Sequence, residues 1–200
     1  MTLLHIRFRY LSILSPFFPL ILVILVIIKR MHEVILVNEQ DVAIGKLEKM
    51  EAHRRGILHR AFSIFIFDRE GRMLLQQRAM GKYHSEGLWT NACCSHPRPG
   101  EDTEAAARKR LKEELGFETV IKPLFTFTYK ASFENGLIEH EFDHVFVGIY
   151  DGAISPNSAE VMAYRYESLE EIAAELHQQP EKFTEWFRIA FEKFKEEDAS

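Results

Sequence analysis

The run Glu139-His140-Glu141-Phe142-Asp143-His144-Val145-Phe146 alternates acid and non-acid so strictly that it reads as a β-strand. Successive side chains of a strand point to opposite faces, so Glu139, Glu141 and Asp143 share one face while His140, Phe142 and His144 share the other. Asn135-Gly136, between Leu124 to Phe133 and Leu137 to Tyr150, is a hairpin signal that pairs this run with its neighbour. Three like charges so close on one face repel one another unless something cationic sits among them. Two explanations stand: a solvated outer face, or a metal ion.

The rest of the chain alternates strands and helices. Glu33 to Asn38 and Ala61 to Asp68 carry strand patterns, and Asp68-Arg69-Glu70-Gly71 is a turn into Arg72 to Ala79, which suggests a hairpin. Leu88 to His96 can form a further strand. The segment from Asp102 to Gly116 reads as a helix capped by Asp102 or Thr103 and ended by Gly116. After a turn rich in Gly, Pro, Asn and Ser come a strand pattern from Val161 and the capping box Ser168 to Glu171, which opens a helix running towards Leu176. Pro180 is expected to open the last helix, with Phe183, Phe187 and Phe191 on one stripe. No internal repeat or low-complexity linker interrupts the pattern. The sum is an α+β domain, a mixed sheet packed between helices around a single core.

Composition narrows the function. A formal charge of −5 argues against a nucleic-acid binder that works by general electrostatics, which needs a clustered basic face. Two adjacent cysteines, Cys93 and Cys94, are the only ones, and neighbours in sequence rarely meet disulfide geometry, so a reducing, cytoplasmic compartment is expected. Residues 1–30 form a separate class: Tyr10 to Ile28 is apolar, with Arg7 and Arg9 before it and Lys29 and Arg30 after it. A signal peptide lacks its small-residue cleavage site, and a membrane anchor is long enough but has cations on both flanks. The favoured expectation is that Met31 is the natural start, with a domain over 31–200. Membrane association then arises only if residues 1–30 are genuine.

Nine histidines matter more than the charge. His53, His59 and His96, taken with two of the strand carboxylates, would suit a five- or six-coordinate divalent ion such as Mn²⁺, Zn²⁺ or Mg²⁺. Any one of them alone is more simply a surface or core histidine, and spacing leaves both readings open.

Four segments in order, RGILHRAFSIFIFD, LLQQRAMGKYHSEGLWTNACCSHP, ARKRLKEELGF and GLIEHEFDHVF, resemble the type 1 isopentenyl diphosphate isomerases of the Nudix superfamily. The resemblance runs from Met31 to the C-terminus and leaves Met1 to Arg30 unmatched. It implies a Nudix-like fold and a monomer acting on a prenyl diphosphate. It makes His53, His59, His96, Glu139 and Glu141 ligands of one divalent ion, although the segment between His53 and His59 is short here and a loop histidine is the alternative for His53. Cys94 and Glu141 would be the catalytic pair, with Tyr129 hydrogen-bonded in the proton path. Glu114, with the Cys94 carbonyl, would hold Mg²⁺ on the diphosphate. Lys49, Arg78, Lys82 and Arg110 would clamp that diphosphate, and Trp186 would face the reacting carbons.

The implied reaction is a 1,3-allylic proton shift through a tertiary carbocation, which demands a dry site with an acid and a base on opposite sides. Glu141 is expected to act as the acid and the Cys94 thiolate as the base, with the roles reversed for the back reaction. Only one of two adjacent strand cysteines can face a pocket, so Cys93 is expected to be a small core residue. Trp186 would stabilise the cation by about 2 kcal/mol through its ring face.

Two other functions remain. A Nudix pyrophosphohydrolase needs a glutamate where Arg110 stands, and residues four apart share a helix face, so Arg110 and Glu114 point together. An ordinary surface salt bridge is the reading that spacing alone favours for this pair. A membrane-tethered prenyl diphosphate binder would need the clamp but neither Cys94 nor Glu141.

Overall fold

The computed structural model describes residues 33–82 and 84–198, so the expectations for residues 1–30 and for Met31 as the start lie outside the described residues. Within them no helix is long and apolar enough to cross a membrane.

A mixed sheet organises the chain. Strands β1 (Glu33–Val37) and β2 (Ala43–Glu48) form an antiparallel hairpin. Asn38 closes its turn, its side-chain oxygen accepting from the amides of Gln40 and Val42. Neither β2 nor the short helix α1 (Lys49–Arg55) that follows it was expected. Helix α1 starts because Glu48 accepts hydrogen bonds from the amides of Met50 and Glu51, and it stops at Gly56 in the left-handed region.

Strand β3 (His59–Phe67) lies at the centre. It runs parallel to β8 (Ile138–Ile149), which in turn pairs antiparallel with β7 (Ile121–Ser132) through the hairpin marked by Asn135-Gly136. Strand β4 (Met73–Arg78) meets β3 at one position, Phe67 opposite Met73, and then diverges to pair with β5 (Trp89–Asn91) and β9 (Val161–Glu167). The expected strand from Leu88 to His96 is therefore split: β5 pairs with β4, whereas β6 (Cys93–Ser95) pairs with β3. The Asn91 side chain holds the switch, donating to the carbonyls of Cys93 at 2.7 Å and Ile64 at 3.3 Å.

Helix α2 (Thr103–Leu115) has the expected ends, with the Asp102 side chain accepting from Ala105 and Gly116 closing it at φ 76°. A Cβ at Gly116 would lie 2.4 Å from the Ser155 carbonyl oxygen, so conformation and space both demand glycine there. Helix α3 (Leu169–Gln178) starts with the reciprocal Ser168–Glu171 capping box. The expectation for Pro180 needs correction. It opens a short 3₁₀ turn, Pro180–Lys182, and α4 (Glu185–Asp198) begins five residues later. Phe183 is extended and the Thr184 amide donates to the Trp89 carbonyl at 2.9 Å, which interrupts the helix before it starts. Phe183, Phe187 and Phe191 are nonetheless all buried.

The sheet divides the interior into two layers. Phe62, Ile64, Ile66 and Leu74 pack with Leu111 and Leu115 of α2, while Phe65, Met73, Leu75 and Val145 pack with Ile172, Phe187 and Phe191 of α3 and α4.

Candidate active site

The acidic face of β8 points inward. Glu139, Glu141 and Asp143 are 4%, 6% and 2% exposed, which removes the solvated outer face as an explanation. Unpaired charges at such depth are too costly to persist, so each carboxylate needs a partner or a proton. Tyr129 on β7, opposite Glu141 in register, directs its hydroxyl at Glu141 Oε2 at 2.7 Å and at Glu139 Oε2 at 3.1 Å. Ser63 donates to Asp143 at 2.7 Å, and burial followed by the charge of Glu141 pushes the Asp143 carboxyl up to about 8.

Three histidines meet at Glu141. His96 Nε2 lies 2.8 Å from Glu141 Oε1, His59 Nε2 at 3.5 Å and His53 Nε2 at 3.9 Å. His53 sits on α1, His59 at the start of β3 opposite Glu141, and His96 just after β6, so three elements converge. The Nδ1 of His53 faces the Lys49 carbonyl at 2.7 Å, and that of His59 faces the Ile57 carbonyl at 2.8 Å. A carbonyl only accepts, so both Nδ1 atoms carry hydrogen and both Nε2 atoms offer lone pairs to the centre. His59 Nε2 and His96 Nε2 are only 3.2 Å apart, an arrangement that a shared cation would satisfy. Burial lowers His53 to about 4 and His96 to about 3, leaving both neutral at neutral pH, the form that can bind a metal. This donor set fits a divalent ion.

Glu139 stands to one side. The four converging residues are His53, His59, His96 and Glu141, while Glu139 groups with His53 and His84. Two residues along a strand span about 7 Å, so one ion reaches both glutamates only when their side chains turn towards each other. His84, which the sequence reading passed over, lies 3.2 Å from Glu139 Oε1, stacks on Phe133 and meets the edge of Trp186. Only the fold brings this loop histidine to the acidic strand.

Beside this cluster opens a cavity with about 510 Å³ of free space, its open mouth included. Lys49, Arg78, Lys82, Arg110, Glu114, Cys94, His96, Tyr129, Glu139, Glu141 and Trp186 all line it, together with Ser63, His84 and Ser95. His53 and His59 lie behind, fully buried. Arg78 sits with its guanidinium carbon 5.0 Å from the Trp186 ring centroid, so one cation already uses that aromatic ring. Arg110 Nε approaches Glu114 Oε1 at 2.7 Å without hydrogen-bond alignment, and Gln76 donates to Glu114 Oε2 at 3.0 Å. Each Glu114 oxygen keeps a further lone pair, so the carboxylate also fits a hard cation.

The two cysteines separate as alternation requires. Cys93, opposite Ile64, is fully buried in the layer under α2, whereas Cys94, opposite Ser63, lies on the cavity side. Burial pushes the Cys94 thiol up to about 12, with Arg78 opposing it. Burial would also raise Glu141, but His96 and His59 overcome it and hold that carboxyl well below its ordinary range.

A NUDIX domain model matches residues 57–187. The fold agrees: the crystal structure of DR0079 from Deinococcus radiodurans superposes with a TM-score of 0.68 at 19% identity, covering 80% of this chain and 98% of that one. A MutT protein from Methanosarcina mazei gives 0.58 at 21% identity, covering 72% and 96%. These define the protein as a Nudix-fold domain. Sequence similarity is more particular. The isopentenyl-diphosphate Delta-isomerase of Pectobacterium atrosepticum is 50% identical over 159 residues, 80% of this chain and 89% of that protein. The Serratia proteamaculans protein of the same name is 52% identical, covering 76% and 86%, and that of Burkholderia multivorans 51%, covering 81% and 92%. The chain belongs to the type 1 isopentenyl-diphosphate Delta-isomerase family of the Nudix superfamily.

Proposed function

We propose that this enzyme interconverts isopentenyl diphosphate and dimethylallyl diphosphate, with Cys94 and Glu141 as the proton-carrying pair. The observation that carries the assignment of residues is one cavity that holds cations and proton-carrying groups together. Four cations, Lys49, Arg78, Lys82 and Arg110, line it together with Cys94, Tyr129, Glu141 and Trp186. A diphosphate anchored on the cations leaves a five-carbon tail among the proton carriers, and that remote binding energy fixes the tail in place.

The chemistry needs one proton in and one out. A proton added to the terminal methylene forms a C–H bond and leaves a tertiary cation. Loss of a proton from C2 then places the double bond between C2 and C3. One member of the pair gives and the other receives, so neither direction requires a second acid. Tyr129 holds the Glu141 carboxylate by its hydroxyl and keeps its own proton, its ionisation pushed well up first by burial and then by Glu139 and Glu141. Trp186 walls the tail from water and contributes its ring to the cation, sharing it with Arg78.

A divalent ion, Mn²⁺, Zn²⁺ or Mg²⁺, held by His53, His59, His96 and Glu141 with Glu139 alongside would fix and polarise the Glu141 carboxylate, while Mg²⁺ at Glu114 would neutralise diphosphate charge. Coulomb balance supports the magnesium. Glu114 is itself paired with Arg110, so its carboxylate adds negative charge beside a diphosphate unless a cation offsets it.

Turnover in deuterated water tests this reading. Deuterium should enter the carbon skeleton of both isomers. Phosphate release without label would mean a pyrophosphohydrolase, and tight binding with neither outcome would mean a carrier; either overturns the reading.

A further inference from the structure

Two of the four cavity cations are held by a residue that does not itself line the cavity. Glu160, just before β9, accepts from Arg110 Nη2 through Oε1 at 2.9 Å and from Lys82 Nζ through Oε2. Its backbone is fixed as well, the amide donating to Asn157 at 2.9 Å and the carbonyl accepting from Ala79 at 2.9 Å. One carboxylate thus joins α2, the loop after β4 and the start of β9.

The order of charges decides what this arrangement does. Lys82 and Arg110 stand between Glu160 and the cavity, so a bound anion meets the cations first. Without Glu160 the two cations would repel each other, and the flexible Lys82 stem would be free to leave for solvent. Re-ordering such a side chain on binding costs entropy that a held side chain has already given up. Arg110 has a further need. Its Nε partner, Glu114, is the group that suits a magnesium ion, and its Nη1 contact with Glu113 is long at 3.3 Å and exposed. When Glu114 turns to a cation, Glu160 keeps the guanidinium in place. Burial works against ionising Glu160, but its hydrogen bonds from Lys82 and Arg110 lower its pKa and keep it anionic.

We propose that Glu160 is a positioning residue for diphosphate recognition, holding Lys82 and Arg110 aimed into the cavity before the substrate arrives. The inference rests on the reading of this cavity as a prenyl diphosphate site.

The test uses the full-length, metal-loaded enzyme and its Glu160→Gln and Glu160→Asp variants. It measures KM for isopentenyl diphosphate, kcat, the inhibition constant of inorganic diphosphate, and melting temperature. For Glu160→Gln, KM and the inhibition constant should rise together by about tenfold, more than kcat changes. Glu160→Asp, which keeps the charge, should fall between this variant and the wild type. In a Lys82→Ala background the Glu160→Gln effect should shrink, because one of the two cations it positions is gone. A Glu160→Gln enzyme with unchanged or tightened KM and inhibition constant overturns the proposal, even if its melting temperature falls, because Glu160 would then be only a structural ion pair. Full additivity with Lys82→Ala overturns it too. The two readings fail separately: inorganic diphosphate affinity that depends on Glu160 in a protein that does not isomerise sinks the function and keeps the clamp, and an isomerase whose KM and inhibition constant are unchanged by Glu160→Gln does the reverse.

Discussion

Both faces of the sheet, built from alternate residues of the same strands, pack an apolar layer, yet only the face under α4 also carries a buried cluster of carboxylates and imidazoles beside the cavity. Under α2 lie Phe62, Ile64, Ile66, Cys93 and Phe146, packed with Leu111 and Leu115. On the opposite face the same strands carry His59, Ser63, Cys94, Glu141 and Asp143. Each large apolar side chain buried on the first face contributes roughly 1.5–3 kcal/mol to stability. The second face buries carboxylates and imidazoles that cost free energy unless something holds them. The division teaches that a rigid apolar layer lets an unfavourable polar layer keep its geometry one residue away.

Substitutions on either side sharpen this contrast. The largest effect is expected from Glu141→Gln, which removes both a converging donor and a proton carrier. Turnover should fall by about 10³-fold or more, within the range for loss of a general acid or base, and elemental analysis should find less bound metal. Wild-type metal content in that variant would remove Glu141 from the ligand set. Leu111→Ala lies wholly on the other face and should cost about 3 kcal/mol in denaturant unfolding, with turnover per folded molecule preserved. A large loss of turnover there would show that the two layers are not independent. Glu139→Gln should lower metal affinity by about tenfold, a smaller effect because Glu139 stands beside the converging four.

Proton linkage gives the smallest expected effect. His53 and His96 have folded pKa values lowered to about 4 and about 3, mainly by burial, against 6.5 for the free side chain. Below pH 6.5 the unfolded chain takes up protons that the folded chain refuses, so stability is complete above that pH and declines as pH falls towards 4. In the metal-stripped protein each of these histidines should contribute a loss of about 1 kcal/mol over the first pH unit below 6.5, opposed by Asp143, whose carboxyl is raised to about 8. An unchanged pH dependence of unfolding in a His53→Gln, His96→Gln double variant of the metal-stripped protein would contradict their buried, neutral state.

Local rules made much of this legible in the sequence. The alternation through Glu139, Glu141 and Asp143, the Asn135-Gly136 hairpin, the Asp102 and Gly116 caps and the Ser168–Glu171 box each act within a few residues, and each is present in the fold. Strand β2 escaped because most of its residues are exposed on an edge, where no apolar pattern is required. Pro180 misled because its ring suits a 3₁₀ turn as well as a helix, and the Thr184 hydrogen bond that separates them comes from Trp89, far along the chain. His84 and Glu160 escaped for a third reason. Each gains its place from partners on other elements, Glu139 for one and Lys82 with Arg110 for the other, so no spacing announces it.

Comparing Cys93→Ala with Cys94→Ala tests the central claim most directly, because the two residues are neighbours in sequence and on opposite layers in space. Cys94→Ala should abolish turnover while metal content and melting temperature stay near wild type. Cys93→Ala should keep its turnover and show only a modest loss of stability. Equal turnover in the two variants would contradict the division of labour between the layers.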